Sequence, residues 1–335
     1  MTAAQHELVL YSRDEHVVTI TLNRSEKRNA FNAELVKELR AALLRFEADD
    51  DAFVAVLTGS GPCFSSGADV GERQIRSVAE FDRLGGPQEP DAHTADLLAR
   101  LPKSKPIVAA VHGVVMGLGI GVAFECDLVV ADSETRFQIT ETPRGLGGAR
   151  FWALLHFCGG GSFATEVALT GRFFSAAEAA AVGIVGSIAP PGSVVETATA
   201  LARQIAANPP LSVQATVRAR RWFMDQAERA AMAITDPMKL YLTEDFREAL
   251  AAHLDKRKPR PFSGTMSCSN RVHASSRRAY RDELVQITLG WRCQPQTDCR
   301  QLSLRVGRPL MSAFGTKRTF SSRSDHSSAC RRSDG

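Results

Sequence analysis

Cysteine is scarce in the first 264 residues of the chain, which contain only Cys63, Cys126 and Cys158. Three scattered cysteines do not make a disulfide framework, so the sequence predicts a protein of a reducing compartment, the cytoplasm. No Cys-x-x-Cys pair occurs and no Cys/His cluster has zinc spacing, so we expect no metal. The amino terminus lacks a basic segment followed by an apolar one, which argues against a secretory signal.

Long uncharged runs are equally scarce, and one stretch needs a membrane test. Residues 106–124 lack Asp, Glu, Lys and Arg but include His112 and four glycines. That length is marginal for a membrane span, and so many glycines make a continuous helix unfavourable. A buried strand, a tight turn and a buried helix explain the run better, and we expect no membrane association.

Positive charge is confined to the end of the chain. Residues 265–335 hold 13 of the 41 Lys and Arg but only 5 of the 37 Asp and Glu, whereas residues 1–264 carry a net charge of −4. We therefore expect no nucleic-acid partner for the body. The segment 265–335 is rich in serine and lacks periodicity, which predicts a disordered appendage. An out-of-frame reading of the gene and an RNA-binding arm are alternative interpretations.

Hydrophobic patterning predicts a layered α/β fold followed by a helical region. Apolar, β-branched runs predict strands at 17–22, 53–58, 107–111 and 128–131. Helical periodicity and capping signals predict helices at 33–47, 176–182, 193–207, 211–230 and 238–256. Asn32 is a predicted helix cap, and Ser175/Glu178 and Ser193/Glu196 have the spacing of capping boxes. The expected domains are a core over 1–200, a helical region over 201–264 and the appendage over 265–335.

Three segments carry the candidate chemistry. They are FSSGAD at 64–69, HGVVMGLGIG at 112–121, and Glu141 within FQITETPRGLGG. Glycine-rich loops at the ends of two neighbouring strands can aim two backbone N–H groups at one point, as in an oxyanion hole. A dinucleotide-binding loop is disfavoured because the GxGxxG spacing fails after Gly119. Close packing of helices is the simpler alternative for these glycines.

Together with three further blocks, these segments resemble the crotonase family, also called the enoyl-CoA hydratase/isomerase superfamily. The other blocks are TLNRSEKRNAFN at 21–32, CDLVVAD at 126–132 and LTGRFFSAAEAAAVGIV at 169–185. The resemblance covers about residues 7–263. It implies a spiral of ββα units with two near-perpendicular sheets, and a C-terminal helical region that forms trimers or hexamers. It also implies an acyl-CoA thioester substrate and no separate cofactor.

The resemblance assigns roles residue by residue. The oxyanion donors are the backbone N–H groups of Ala68 and Leu118, the second at a position where relatives usually have glycine. Hydratases of the family use two glutamates. In this chain Glu141 stands at the second of these positions and Gly121 at the first. Glu125, one helical turn after Gly121, is a weaker substitute, and we expect it to be structural or solvated.

The remaining site residues are those that the resemblance places around CoA. Lys27, Arg28, Ala30 and Phe31 lie in the loop for adenine and phosphates, and Lys256 matches a phosphate-binding lysine. The predicted acyl-CoA set is completed by Ser66, Gly67, Ala68, Asp69, Val70, Gly117 and Leu118. Within it, Asp69 is expected to hold its own loop. His112, which is outside this set, is expected to be a packed turn residue.

A single glutamate favours one reaction over another. Hydration shares its proton transfers between two carboxylates, whereas moving a double bond needs one base that takes a proton and returns it. We therefore expect double-bond isomerisation by Glu141. Enoyl-CoA hydratase activity and a non-catalytic acyl-CoA-binding protein are the alternatives.

Overall fold

A computed structural model of the chain describes residues 7–73, 104–235, 240–241 and 243–265. The chain divides into two units, Met1–His273 and Ala274–Gly335. The second unit, and with it nearly all of the predicted appendage, lies outside the described residues.

Two sheets form the frame of the first unit. The larger sheet has the order β1 (Val9–Asp14), β2 (Val17–Leu22), β3 (Val54–Gly59), β4 (Ile107–Val111), β6 (Leu128–Asp132) and β9 (Ser187–Ala189). The smaller sheet has the order β5 (Val114–Met116), β7 (Arg136–Gln138) and β8 (Phe173–Ser175). Neighbouring strands run parallel except in the pairs β1–β2 and β7–β8. The four strands predicted from apolar runs are all present, because β-branched residues buried on both faces favour parallel strands.

The helices follow the predicted order. They are α1 (Ala33–Ala48), α2 (Val70–Arg73), α3 (Leu118–Glu125), α4 (Ala149–Leu155), α5 (Gly161–Thr170), α6 (Ala176–Ala181), α7 (Val194–Ala206), α8 (Pro210–Thr235) and α9 (Glu244–Leu254). The Asn32 side chain accepts from Leu35 N–H at 2.9 Å and begins α1. Ser175 and Glu178 form the predicted capping box that begins α6.

The second predicted capping box is wrong. Ser193 precedes α7, but its side chain makes no cap. Its hydroxyl instead donates to the carbonyl of Pro190 at 2.9 Å. The preceding turn thus competes for the same hydroxyl, a known tendency of serine near turns.

The larger sheet buries both faces. On one face, Val56 and Val108 pack beneath Ala198 of α7. On the other face, Leu57 and Val111 join the main core with α1 and α3. The uncharged run 106–124 contains the predicted buried strand (β4), turn and buried helix (nearly all of α3). The short strand β5 between the turn and the helix was not predicted. Within the ranges that the structure describes, no helix is both long enough and apolar enough to span a bilayer.

A C-terminal strap, residues 260–264, folds back onto α9. After α9, the backbone N–H groups of Ser263 and Gly264 donate to the Asp245 carboxylate at 2.7 and 2.8 Å. The N–H of Arg260 donates to Glu248 at 2.7 Å. These charge-assisted bonds hold the last described residues against the first turns of α9.

The strap sets where the chain can be shortened. A chain ending at Thr265 keeps every bond of the strap, so we expect its Tm to equal that of the full chain. A chain ending at Lys256 loses the bonds to Asp245 and Glu248, and its Tm should be several degrees lower. Thermal unfolding of the three proteins checks this. Equal Tm values for the two shortened chains would show that the strap does not contribute.

Candidate active site

Backbone bonds join the segment 28–31 to the loop that carries Ala68. Phe31 and Ala68 form an isolated parallel bridge. Phe31 N–H donates to the Gly67 carbonyl at 2.8 Å, and Ser66 N–H donates to the Arg28 carbonyl at 2.9 Å. Two segments that are 35 residues apart in sequence are thus fixed side by side, as the resemblance requires.

A buried polar frame holds this pair of segments. Arg24 donates through Nη1 to Asp69 Oδ2 at 2.7 Å and to the carbonyl of Ala30 at 3.0 Å. Asp69 Oδ1 also accepts from Gly71 N–H at 3.1 Å. The Asn29 side-chain amide donates to the carbonyls of Ser60 and Cys63, each at 2.9 Å. Asp69 therefore holds its own loop as predicted, and Arg24 is a partner that the sequence did not reveal.

The loop at Gly67 comes into close contact with the start of α3. A Cβ built on Gly67, whose φ is +97°, would lie 2.8 Å from the Met116 carbonyl oxygen and 3.5 Å from Leu118 N. Only glycine tolerates both this φ and this distance. The backbone of Ala68, the next residue, is therefore brought beside the first N–H group of α3.

Two N–H groups at this contact have no acceptor in the part of the chain that the structure describes. They are those of Ala68 and Leu118. Leu118 begins α3, where the first amides of a helix have no intrahelical partner. The Leu118 side chain is buried, so the fold accommodates leucine at this position. The geometry brings together the two donors named from the sequence and leaves both available.

Glu141 lies against the same backbone. A Cβ on Gly117, whose φ is +48°, would lie 3.0 Å from Glu141 Oε1 and 2.6 Å from Thr140 Oγ1. The missing side chain of Gly117 thus makes room for the carboxyl group one residue before the Leu118 amide. The segment that carries Glu141 is anchored by its own turn, since Arg144 and Leu146 donate backbone N–H groups to the Glu141 carbonyl at 3.0 and 2.9 Å.

The surroundings of Glu141 change its acidity. Burial raises the pKa of the Glu141 carboxyl from 4.5 to about 7, because loss of water disfavours the charged form. Hydrogen bonds from its own segment and the charge of Arg144 oppose this shift. A carboxyl group with a pKa near neutrality can both accept and return a proton at ordinary pH.

The first glutamate position holds no carboxylate and is closed. Gly121 is buried, and a Cβ there would lie 3.2 Å from Phe151 Cε1 and 3.5 Å from Arg150 Nη1. Glu125, the weaker substitute, is 1% exposed and forms an ion pair with Arg150. It is structural rather than solvated. Arg150 also donates to Glu228 of α8 at 3.0 Å, so the cluster links three helices.

The other predicted residues lie at the edge of this site or, in the part of the chain that the structure describes, make no hydrogen bond or ion pair with it. Lys27 and Arg28 are exposed beside the joined segments, and Val70 begins α2 directly after Asp69. Lys256 is exposed after α9, with a φ of +52°. Within the described ranges it makes no hydrogen bond or ion pair to the segment 27–31. His112 Nε2 donates to the Gly61 carbonyl at 3.1 Å, as expected of a turn residue.

The helix α9 is part of the site, although no motif indicated it. A Cβ on Gly145, whose φ is +73°, would lie 3.0 Å from Phe246 N, so α9 packs directly on the turn that follows Glu141. Leu146 and Phe246 share a small apolar cluster there. Arg144 stands three residues after Glu141, and this spacing is the only feature of the sequence that indicates a charged neighbour for the Glu141 carboxyl group. In the same described ranges, no three His, Cys, Asp or Glu side chains cluster as metal ligands do.

Comparison with known proteins places this fold in a class. The model of the enoyl-CoA hydratase/isomerase family matches residues 12–264. The solved structure of a carnitinyl-CoA dehydratase from Mycobacterium avium superimposes with a TM-score of 0.65 at 31% identity, covering 76% of this chain and 99% of that chain. The fold is therefore that of the crotonase superfamily.

Sequence relatives identify the family more narrowly. A putative enoyl-CoA hydratase of Thermus thermophilus is 35% identical over 251 residues, covering 73% of this chain and 97% of the relative. A 2,3-dehydroadipyl-CoA hydratase of Escherichia coli is 34% identical over 255 residues, covering 75% and 97%. The chain belongs to the enoyl-CoA hydratase/isomerase family and is an enzyme of the crotonase superfamily.

The contact between Gly117 and Glu141 can be tested with a matched pair of glycines. Gly117 and Gly161 both have a φ of +48°, but a Cβ on Gly161 has no atom within 4 Å. Both substitutions to alanine should cost about 1–3 kcal/mol of backbone strain, because both glycines combine a positive φ with a ψ near −120°. Only Gly117→Ala also displaces Glu141, so only it should lower kcat/KM, by about a hundredfold. Equal activity of the two variants would contradict the assigned contact.

Proposed function

We propose that the protein is an enoyl-CoA isomerase in which Glu141 is the one acid–base group. The single observation that carries this is a half-buried carboxyl group beside two available backbone donors, with no carboxylate at the other glutamate position. The N–H groups of Ala68 and Leu118 bind the thioester oxygen of an acyl-CoA. The joined segments 28–31 and 65–69 hold the CoA part, with Lys27, Arg28 and Lys256 as candidate phosphate contacts.

The reaction is a shift of one double bond without net gain or loss of atoms. Glu141 removes a proton from the α-carbon of a 3-enoyl-CoA. The electron pair of that C–H bond moves through the conjugated system to the thioester oxygen, where the two N–H donors stabilise the dienolate. Protonated Glu141 then returns the proton to the γ-carbon, the carbonyl re-forms, and the product is a 2-enoyl-CoA.

Preorganised donors supply much of the stabilisation in such a step. Loss of one oxyanion donor typically costs about 3–4 kcal/mol in the barrier. Both donors here belong to backbone held by glycine contacts rather than to flexible side chains. They therefore need no reorganisation when charge develops on the oxygen.

Hydration of a 2-enoyl-CoA is the second candidate. The relatives from Thermus thermophilus and Escherichia coli are named hydratases, which favours it. Against it stands the absence of a second carboxylate at position 121 and the use of Glu125 in an ion pair with Arg150. Binding of acyl-CoA without turnover is the remaining alternative from the sequence.

We also propose that the enzyme self-associates through its C-terminal helical region, as a trimer or hexamer. Trp222 and Phe223 of α8 are 58% and 60% exposed, and their rings stack edge to face at 4.8 Å. Large exposed aromatic pairs are typical of protein interfaces.

The function is tested by Glu141→Gln with 3-enoyl-CoA and 2-enoyl-CoA as substrates. The substitution keeps the shape but removes the base, so isomerisation should fall about 100- to 10,000-fold. Affinity for acyl-CoA, measured by calorimetry, should change little. Near-full activity of the variant would contradict the mechanism, and rapid hydration with no isomerisation by the wild type would establish the second candidate.

The pH dependence follows from the raised pKa of Glu141. The active form is the carboxylate, which becomes populated as pH rises through a pKa of about 7. We therefore expect kcat/KM to rise with pH and to level off above neutrality. Initial rates over a pH series measure this. A profile already flat below pH 6 would show that another group acts as the base.

A further inference from the structure

The first glutamate position is bordered most closely by an aromatic ring. A Cβ on Gly121 would lie 3.2 Å from Phe151 Cε1, 3.5 Å from Arg150 Nη1 and 3.9 Å from Leu118 Cδ1. Phe151 and Leu118 are each 5% exposed. Leu118 and Gly121 are three residues apart on α3 and therefore lie on the same side of that helix. The side of α3 that carries Leu118 and Gly121 is thus crowded by Phe151 and Arg150 where a second carboxylate would stand.

A buried ion-pair cluster fixes this ring. Phe151 follows Arg150 in the first turn of α4. Arg150 is 2% exposed and binds Glu125, at the end of α3, and Glu228 of α8. These two pairs hold α4 against α3 and α8. A shift of the α4 backbone, and with it Phe151, away from Gly121 would separate buried charges, which is costly in a low-dielectric interior.

We infer that Phe151 is a specificity-determining residue that closes the site beside Gly121 to water and so commits the enzyme to proton transfer. This rests on the proposed function. Hydration adds the oxygen of water to the β-carbon and a proton to the α-carbon, so it requires a water molecule next to the reacting double bond. Isomerisation requires none. Steric closure of this space by Phe151 therefore separates the two reactions without touching Glu141.

A side chain added at Gly121 would meet the Phe151 ring, which lies 3.2 Å from the position of its Cβ. Restoration of hydration should then need both changes: a carboxylate at 121 and a smaller side chain at 151. Two changes that act through one space are expected to be non-additive.

The experiment measures the ratio of hydrated to isomerised product from 2- and 3-enoyl-CoA in the full chain. Phe151→Leu and Phe151→Met open the space and should each raise this ratio about tenfold, the range expected for changes of a few atoms in a pocket. Phe46→Leu is the matched control. Phe46 is equally buried but lies on α1 beside Lys105, and its substitution should leave the ratio unchanged.

A double-mutant cycle makes the test sharper. Gly121→Glu alone should produce almost no hydration, whereas Gly121→Glu combined with Phe151→Leu should exceed the product of the single effects by about tenfold. An unchanged ratio in both Phe151 variants, with isomerisation intact, would overturn this inference but leave the proposed function standing. Robust hydration by the wild type would instead overturn the proposed function.

Discussion

Two backbone segments meet at Gly67 and Gly117 with no side chain between them, and the rest of the site depends on that contact. Gly67 brings the Ala68 amide next to the start of α3, where the Leu118 amide lacks a helical partner. Gly117 leaves the space that the Glu141 carboxyl group occupies. A methyl group at either glycine would collide with the partner backbone or with the residues around the carboxyl group. Donors and base are therefore positioned by one geometric constraint.

The same constraint explains the acidity of Glu141. A carboxyl group pressed against backbone exchanges water for a low-dielectric surface, which raises its pKa to about 7. Hydrogen bonds within its own segment and the charge of Arg144 partly oppose this rise in the pKa. The packing of α9 on Gly145 keeps this turn in place. Residues far along the chain thus support the chemistry through contacts with the backbone around Glu141.

Local sequence rules predicted most of the frame. Apolar runs identified the strands, and Asn32 and Ser175 identified the starts of two helices, because these signals act within a few residues. Ser193 failed because a neighbouring turn competed for its hydroxyl. The family resemblance, rather than any local rule, placed Ala68, Leu118 and Glu141 together. The ring of Phe151 beside Gly121 and the Arg24–Asp69 pair had no sequence signal, since both contacts arise only from the packing of distant segments.

The central claim is that the Ala68 and Leu118 amides polarise the thioester carbonyl while Glu141 alone moves the proton. Infrared spectroscopy of a bound acyl-CoA with a ¹³C-labelled thioester carbonyl tests it most directly. We expect the carbonyl band to shift to lower wavenumber on binding, relative to the ligand in water. The same shift is expected in Glu141→Gln, because that substitution leaves both donors intact. A band that does not shift in the wild-type complex would show that the two amides do not polarise the carbonyl.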